Sequence, residues 1–142
     1  MSPLPGYAGY FFYSKPATVV PQNSFLLEPA LAFLASGDVV KIDPLQRFVR
    51  VLYRKSSRHN AILLTERCNN FCLMCSQPPR EIDDSYIVHD ALEAIPLMSQ
   101  ETREVTLTGG EPTLLGKNLG RIVRVLPVRI TAMTGGGAGA LE

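Results

Sequence analysis

Cys68-Asn69-Asn70-Phe71-Cys72-Leu73-Met74-Cys75 holds every cysteine of the 142-residue chain. Three thiols stand at offsets 0, 4 and 7, and no fourth exists elsewhere. An odd, clustered set is a poor disulfide framework and fits a reducing compartment and a metal site better. Three thiolates on a four-iron cubane would leave one iron without a protein ligand. An open coordination position is where a metal centre performs chemistry rather than only holding a fold.

Two other readings of the cysteines stay open. Offsets 0, 4 and 7 would align three side chains on one helical stripe, the pattern of buried core cysteines. Against this, Asn69-Asn70 is a poor helix interior, and the segment follows directly on a strand. Structural zinc normally takes four ligands, so His59 or His89 would have to complete the set.

The sequence around the loop reads as alternating strands and helices. Ala61-Ile-Leu-Leu-Thr65 is a short apolar run, typical of a strand buried on both faces, and it feeds directly into the cysteines. Asp83-Asp84-Ser85 offers N-caps for a helix with Ile87, Val88, Ala91, Leu92 and Ile95 inward, ended or kinked by Pro96. Glu104 to Thr108 reads as a second strand, residues 118–126 as a second helix, and Val128 to Met133 as a third strand. This order predicts parallel β/α units. Thr134 to Glu142 reads as a glycine-rich tail without a core-forming pattern.

Upstream, residues 1–22 are rich in proline and aromatics and suggest an irregular arm packed by its rings. Residues 28–35 suit a short helix, with Pro29 in its first turn and Gly37 to end it. Strands from Asp38 to Ile42 and from Arg47 to Tyr53 flank the turn Asp43-Pro44-Leu45-Gln46 and predict a hairpin. The basic stretch from Arg54 to Asn60 reads as a solvated linker, with a boundary near residue 58. Two regions are therefore expected: an arm and hairpin over 1–58, and an α/β core over 59–142.

Bulk properties exclude some classes. With 14 basic and 13 acidic residues the net charge is +1, which gives no nucleic-acid footprint and no polybasic membrane anchor. No apolar stretch approaches the roughly 20 residues that span a bilayer. The N-terminus lacks the basic and apolar regions of a secretory signal, so a cytoplasmic location is expected.

A second motif, Thr106-Leu107-Thr108-Gly109-Gly110-Glu111-Pro112, lies at the C-terminal end of the second strand, where ligands bind in parallel β/α folds. Two glycines permit close approach to the backbone and expose carbonyl oxygens. Those carbonyls, with Glu111, can accept hydrogen bonds from an ammonium group. Alone this is a turn signal; one strand after Cys-x3-Cys-x2-Cys it gains specificity.

Together the two motifs resemble those of the radical SAM superfamily. The resemblance implies that Cys68, Cys72 and Cys75 ligate three irons of a [4Fe–4S] cluster, and that S-adenosylmethionine (SAM) chelates the fourth. Gly109, Gly110 and Glu111 would contact the methionine amine, and Pro112 would shape the turn. Met74 stands where the family usually carries an aromatic residue near the adenine; a thioether can also pack on a ring face. The implied reaction is reductive cleavage of SAM to a 5′-deoxyadenosyl radical that abstracts a hydrogen atom. The cofactors carry the chemistry, while the protein orients them and excludes water.

Over roughly residues 37–126 the chain is similar, more narrowly, to the His-Xaa-Ser system radical SAM maturases. That likeness implies a peptide substrate rich in His-Xaa-Ser repeats, a partner maturase, and an electron donor such as a flavodoxin or ferredoxin. It implies an incomplete (β/α) radical SAM partial barrel preceded by a small β-hairpin region. The family builds six units, but 67 residues follow Cys75, enough for about two. The chain is therefore expected to be the N-terminal part of a longer enzyme. Two alternatives are a non-catalytic iron–sulfur module for electron transfer or sensing, and a zinc-stabilised interaction domain.

Overall fold

The computed structural model describes residues 9–17, 20–73, 75, 78–126, 129–134 and 137–140. The chain forms two compact units, Met1–Leu34 and Ala35–Glu142. In the first, β1 (Tyr10–Phe12) and β2 (Ser24–Leu26) pair in parallel. The Phe11 and Phe25 rings lie 5.9 Å apart, and Tyr13 Oη donates to the Leu34 carbonyl at 2.9 Å. The helix expected over 28–35 shortens to a 3-10 turn, Pro29–Leu31, with no buried residue. So short a segment gains no packing to offset the cost of helix nucleation. Pro3, Pro5 and Tyr7 of the aromatic arm lie outside the described residues.

The second unit begins with a hairpin, β3 (Val39–Asp43) and β4 (Phe48–Tyr53), paired antiparallel. The expected turn closes it: Asp43 Oδ1 accepts from the amides of Leu45 and Gln46, both at 2.9 Å. The basic stretch after it is a tight connection within the same unit. Asn60 is buried, accepts from the Arg54 amide at 2.9 Å and donates back to the Arg54 carbonyl at 3.1 Å. The hairpin thus belongs to the same unit as the strands that follow.

Those strands form a four-stranded sheet. β5 (Asn60–Thr65), α1 (Ser85–Ala94), β6 (Glu104–Gly109), α2 (Lys117–Val125), β7 (Arg129–Thr134) and β8 (Gly137–Ala140) follow in order. The sheet order is β5-β6-β7-β8; β5, β6 and β7 run parallel, and β8 turns back antiparallel on β7. The parallel β/α units expected from the alternation are present. The glycine-rich tail, which has no core-forming pattern, contributes β8 through backbone pairing. The fold is mixed α/β with small sheets and two helices.

One core holds this unit together. Ile62, Leu64, Val105 and Leu107 project from β5 and β6 onto Val88, Ala91 and Ala94 of α1, Ile95 of the following 3-10 turn, and Ile122 of α2. Val39, Tyr53 and Met98 join the same cluster. Burying an aliphatic side chain of this size contributes roughly 1.5–3 kcal/mol. Of the positions expected inward, Ile87, Val88 and Ala91 are buried on α1 and Ile95 just beyond it, while Leu92 is only partly buried and Ala94 joins the buried face instead. Lys41 Nζ reaches both carboxylate oxygens of Asp90, at 2.7 and 2.6 Å, and ties the hairpin to α1.

The expectation that β5 is buried on both faces is corrected. Its pattern alternates, with Ile62 and Leu64 buried and Ala61 and Leu63 exposed. Thr106 and Thr108 of β6 are likewise only half-buried. The described helices feed the core from the other face of the sheet.

Candidate functional site

Because β5 and β6 are parallel, both deliver their C-terminal ends to the same edge of the sheet. Thr65 lies opposite Gly109 in the register. The cysteine loop leaves from the first strand end and the Gly-Gly-Glu-Pro turn from the second. Two backbone hydrogen bonds join them: Gly110 N to Thr65 O at 2.9 Å, and Glu111 N to Arg67 O at 2.8 Å. The glycines make this approach available. A Cβ on Gly109 would collide with the Thr65 carbonyl. A Cβ on Gly110 would collide with the Arg67 carbonyl and come within 2.9 Å of the Cys68 Cβ.

Glu111 is 8% exposed, and its carboxylate is aimed from both sides. Oε1 accepts from the Thr113 amide at 3.1 Å and the Thr113 hydroxyl at 2.6 Å. Oε2 accepts from the side-chain amide of Asn70 at 2.9 Å. Pro112 opens the 3-10 turn Pro112–Leu115 and is buried there, the first-turn position where its missing N–H costs nothing.

The start of the loop is braced from beneath by Asp84, which is 2% exposed. Its Oδ2 accepts from Thr65 Oγ1 at 2.7 Å and from the Glu66 amide at 2.6 Å. Thr65 Oγ1 in turn accepts from the Arg67 amide at 3.0 Å. The sequence marks Asp84 as a helix cap. It does stand at the N-cap of α1, but without a side-chain capping bond; its carboxylate serves the end of β5 instead. On the surface beside it, the Ser85 amide and hydroxyl hold the Asp83 carboxyl below its usual range.

The cysteines themselves are not core residues. Cys68 and Cys72 are half-buried and Cys75 is exposed, which removes the reading of three packed structural thiols. Within the loop the Cys75 amide donates to the Cys72 carbonyl at 3.0 Å, folding the third cysteine back toward the second. The Asn70 amide faces Cys68 Sγ at 3.4 Å. Phe71 is 89% exposed. Met74 lies outside the described residues.

Neither histidine stands with the cysteines as a fourth zinc ligand. His59 precedes β5, at the opposite end of a strand roughly 20 Å long. His89 is exposed on α1 and pairs with Glu93 at 3.6 Å. Among the described residues no three His, Cys, Asp or Glu side chains are grouped as a preformed metal centre. The donor set nevertheless suits an iron–sulfur cluster: soft thiols in one eight-residue loop on a braced strand end. An open, polar depression of about 620 Å³ lies elsewhere, at the N-terminal ends of β5 and β6, lined by Tyr53, Lys55, His59, Glu101 and Arg103.

The structure therefore brings Cys68, Gly110, Glu111 and Pro112 to one strand edge. Sequence reasoning gave Asn70 and Thr113 no role in the site and read Asp84 only as a helix cap; their partners lie across the fold or within the turn. No helix among the described residues is long and apolar enough to cross a membrane. Searches of curated proteins and of solved structures gave no match. A comparison with family models gave one for the radical SAM superfamily over residues 62–138, from β5 into β8. Members of that superfamily normally bind a [4Fe–4S] cluster and cleave SAM. The match takes in 77 of the 142 residues, and the chain belongs to the radical SAM superfamily.

Proposed function

We propose that this chain binds a [4Fe–4S] cluster through Cys68, Cys72 and Cys75, and SAM against Gly109, Gly110 and Glu111. Pro112 fixes the turn, and Met74 would take the place of the family's aromatic residue beside the adenine. The observation that carries the reading is the backbone stitch between the cysteine loop and the Gly-Gly-Glu turn at one edge of a parallel sheet. When bound, the cluster and SAM supply one-electron cleavage of the sulfonium carbon–sulfur bond.

The chain's own residues bind and orient. The thiolates are the iron ligands. The carbonyls at the glycine turn and the Glu111 carboxylate accept from an ammonium group, and Thr113 keeps that carboxylate aimed. Asp84 and Thr65 hold the strand end from which the loop starts.

The narrower likeness supports a substrate reading: a peptide with His-Xaa-Ser repeats, processed in the cytoplasm with a partner maturase and a flavodoxin- or ferredoxin-type electron donor. In the same reading the sheet is part of a radical SAM partial barrel.

The test is anaerobic reconstitution with iron and sulfide, followed by SAM and dithionite. Close to four irons per chain and formation of 5′-deoxyadenosine are expected, both lost when Cys68, Cys72 and Cys75 are replaced by serine. Iron uptake without SAM cleavage would leave a non-catalytic iron–sulfur module. Stoichiometric zinc with no iron would sink the reading.

A further inference from the structure

We propose that Asn70 is a positioning residue, whose side-chain amide ties the cysteine loop to Glu111 and aims that carboxylate for the ammonium group of the ligand. The inference rests on the function proposed above for its ligand, but its geometry stands alone.

Asn70 touches both motifs. Its backbone amide faces Cys68 Sγ at 3.4 Å, and its side-chain amide donates to Glu111 Oε2 at 2.9 Å, across 41 residues of sequence. The other oxygen of Glu111 is held locally by Thr113. Without Asn70 the carboxylate keeps one anchor and regains rotation about its terminal torsion, which is broad for glutamate. A donor bonded to a carboxylate is also stronger than a neutral pair, so a single amide suffices to bias the orientation.

The Asn70 carbonyl lies 3.6 Å from the same sulfur. One residue thus spaces the first thiol from the carboxylate. Backbone stitching alone, from Gly110 to Thr65 and from Glu111 to Arg67, fixes the loop only as far as residue 67. Asn70 extends the tie past Cys68.

The experiment has two arms on the full chain. In metal-free protein, NMR follows hydrogen exchange of the Asn70 side-chain amide. The wild type is expected to exchange roughly tenfold more slowly than Glu111→Ala. Equal rates would overturn the tie. In reconstituted protein, Asn70→Ala is expected to raise KM for SAM about tenfold with kcat changed less than twofold. Asn70→Asp, which sets a second carboxylate against Glu111, should be worse. The double variant Asn70→Ala/Glu111→Ala should be no worse than Glu111→Ala alone; additive losses would overturn the positioning role. A chain that cleaves no SAM would sink the proposed function, while the exchange arm would still decide the tie. If Asn70→Ala fails to fold, the exchange comparison, which uses the wild type and Glu111→Ala, remains decisive.

Discussion

Gly110 shows why a residue can matter through the side chain it lacks. A methyl group there would overlap the Arg67 carbonyl and crowd Cys68, and the obstacle is backbone, which cannot swing aside. Gly110→Ala is therefore expected to displace the start of the cysteine loop. Iron bound after reconstitution should fall by more than half, with the far-UV spectrum unchanged; full iron content would refute the close packing. Asp84 makes the complementary case. Asp84→Ala leaves the Thr65 hydroxyl and the Glu66 amide without their buried acceptor, at a cost of about 2–3 kcal/mol in urea unfolding. Asp84→Asn keeps an oxygen at that position and should recover at least half of the loss. The site was only partly legible in the sequence for a physical reason. Cysteine spacing and Gly-Gly-Glu-Pro are local patterns whose chemistry follows from adjacent residues. Asp84 and Asn70 look locally like a cap and a turn residue; their partners, Thr65 and Glu111, lie 19 and 41 positions away and are met only after folding.

At the level of elements, legibility tracked packing. α1 was readable because Ile87, Val88, Ala91 and Ala94 repeat every three to four residues and all reach the core. The short helix expected over 28–35 was not realised, because none of its residues is buried in the 3-10 turn that forms. β8, Gly137–Ala140, carries glycine and alanine alone, so no side-chain alternation announces a strand that forms by pairing with β7. Helix α2 is a thinner case than α1. Ile122 is its one fully buried residue, with Leu119 partly buried against the same cluster. Ile122→Ala should therefore cost about 3 kcal/mol and loosen α2 before the rest. Hydrogen exchange by mass spectrometry should show faster exchange over residues 117–125 while residues 85–94 stay protected. Uniform acceleration over both helices would mean that they open as one unit.

Taken whole, the chain concentrates its stability and its chemistry in the same stretch. Every residue of the core cluster, from Val39 to Ile122, lies in the unit Ala35–Glu142, as do the cysteine loop and the Gly-Gly-Glu turn. The family match begins at residue 62, inside β5, and the hairpin before it shares the same core through Val39 and Tyr53. The first unit holds itself by other means: a short parallel strand pair, the Phe11–Phe25 contact and the buried Leu27. A chain consisting of residues 35–142 is thus expected to fold cooperatively. Its thermal midpoint should stay within about 4 °C of the full chain, the shift that roughly 1 kcal/mol produces at this size. Removing the hairpin as well, by starting at residue 60, strips Val39 and Tyr53 from the core and the Lys41 clamp from Asp90. That shorter chain should lose cooperativity, read as a broad melt with the dye binding of exposed apolar surface. If residues 60–142 melted as sharply as 35–142, the hairpin would be a passenger, and the core would be closed by the sheet and its two helices alone.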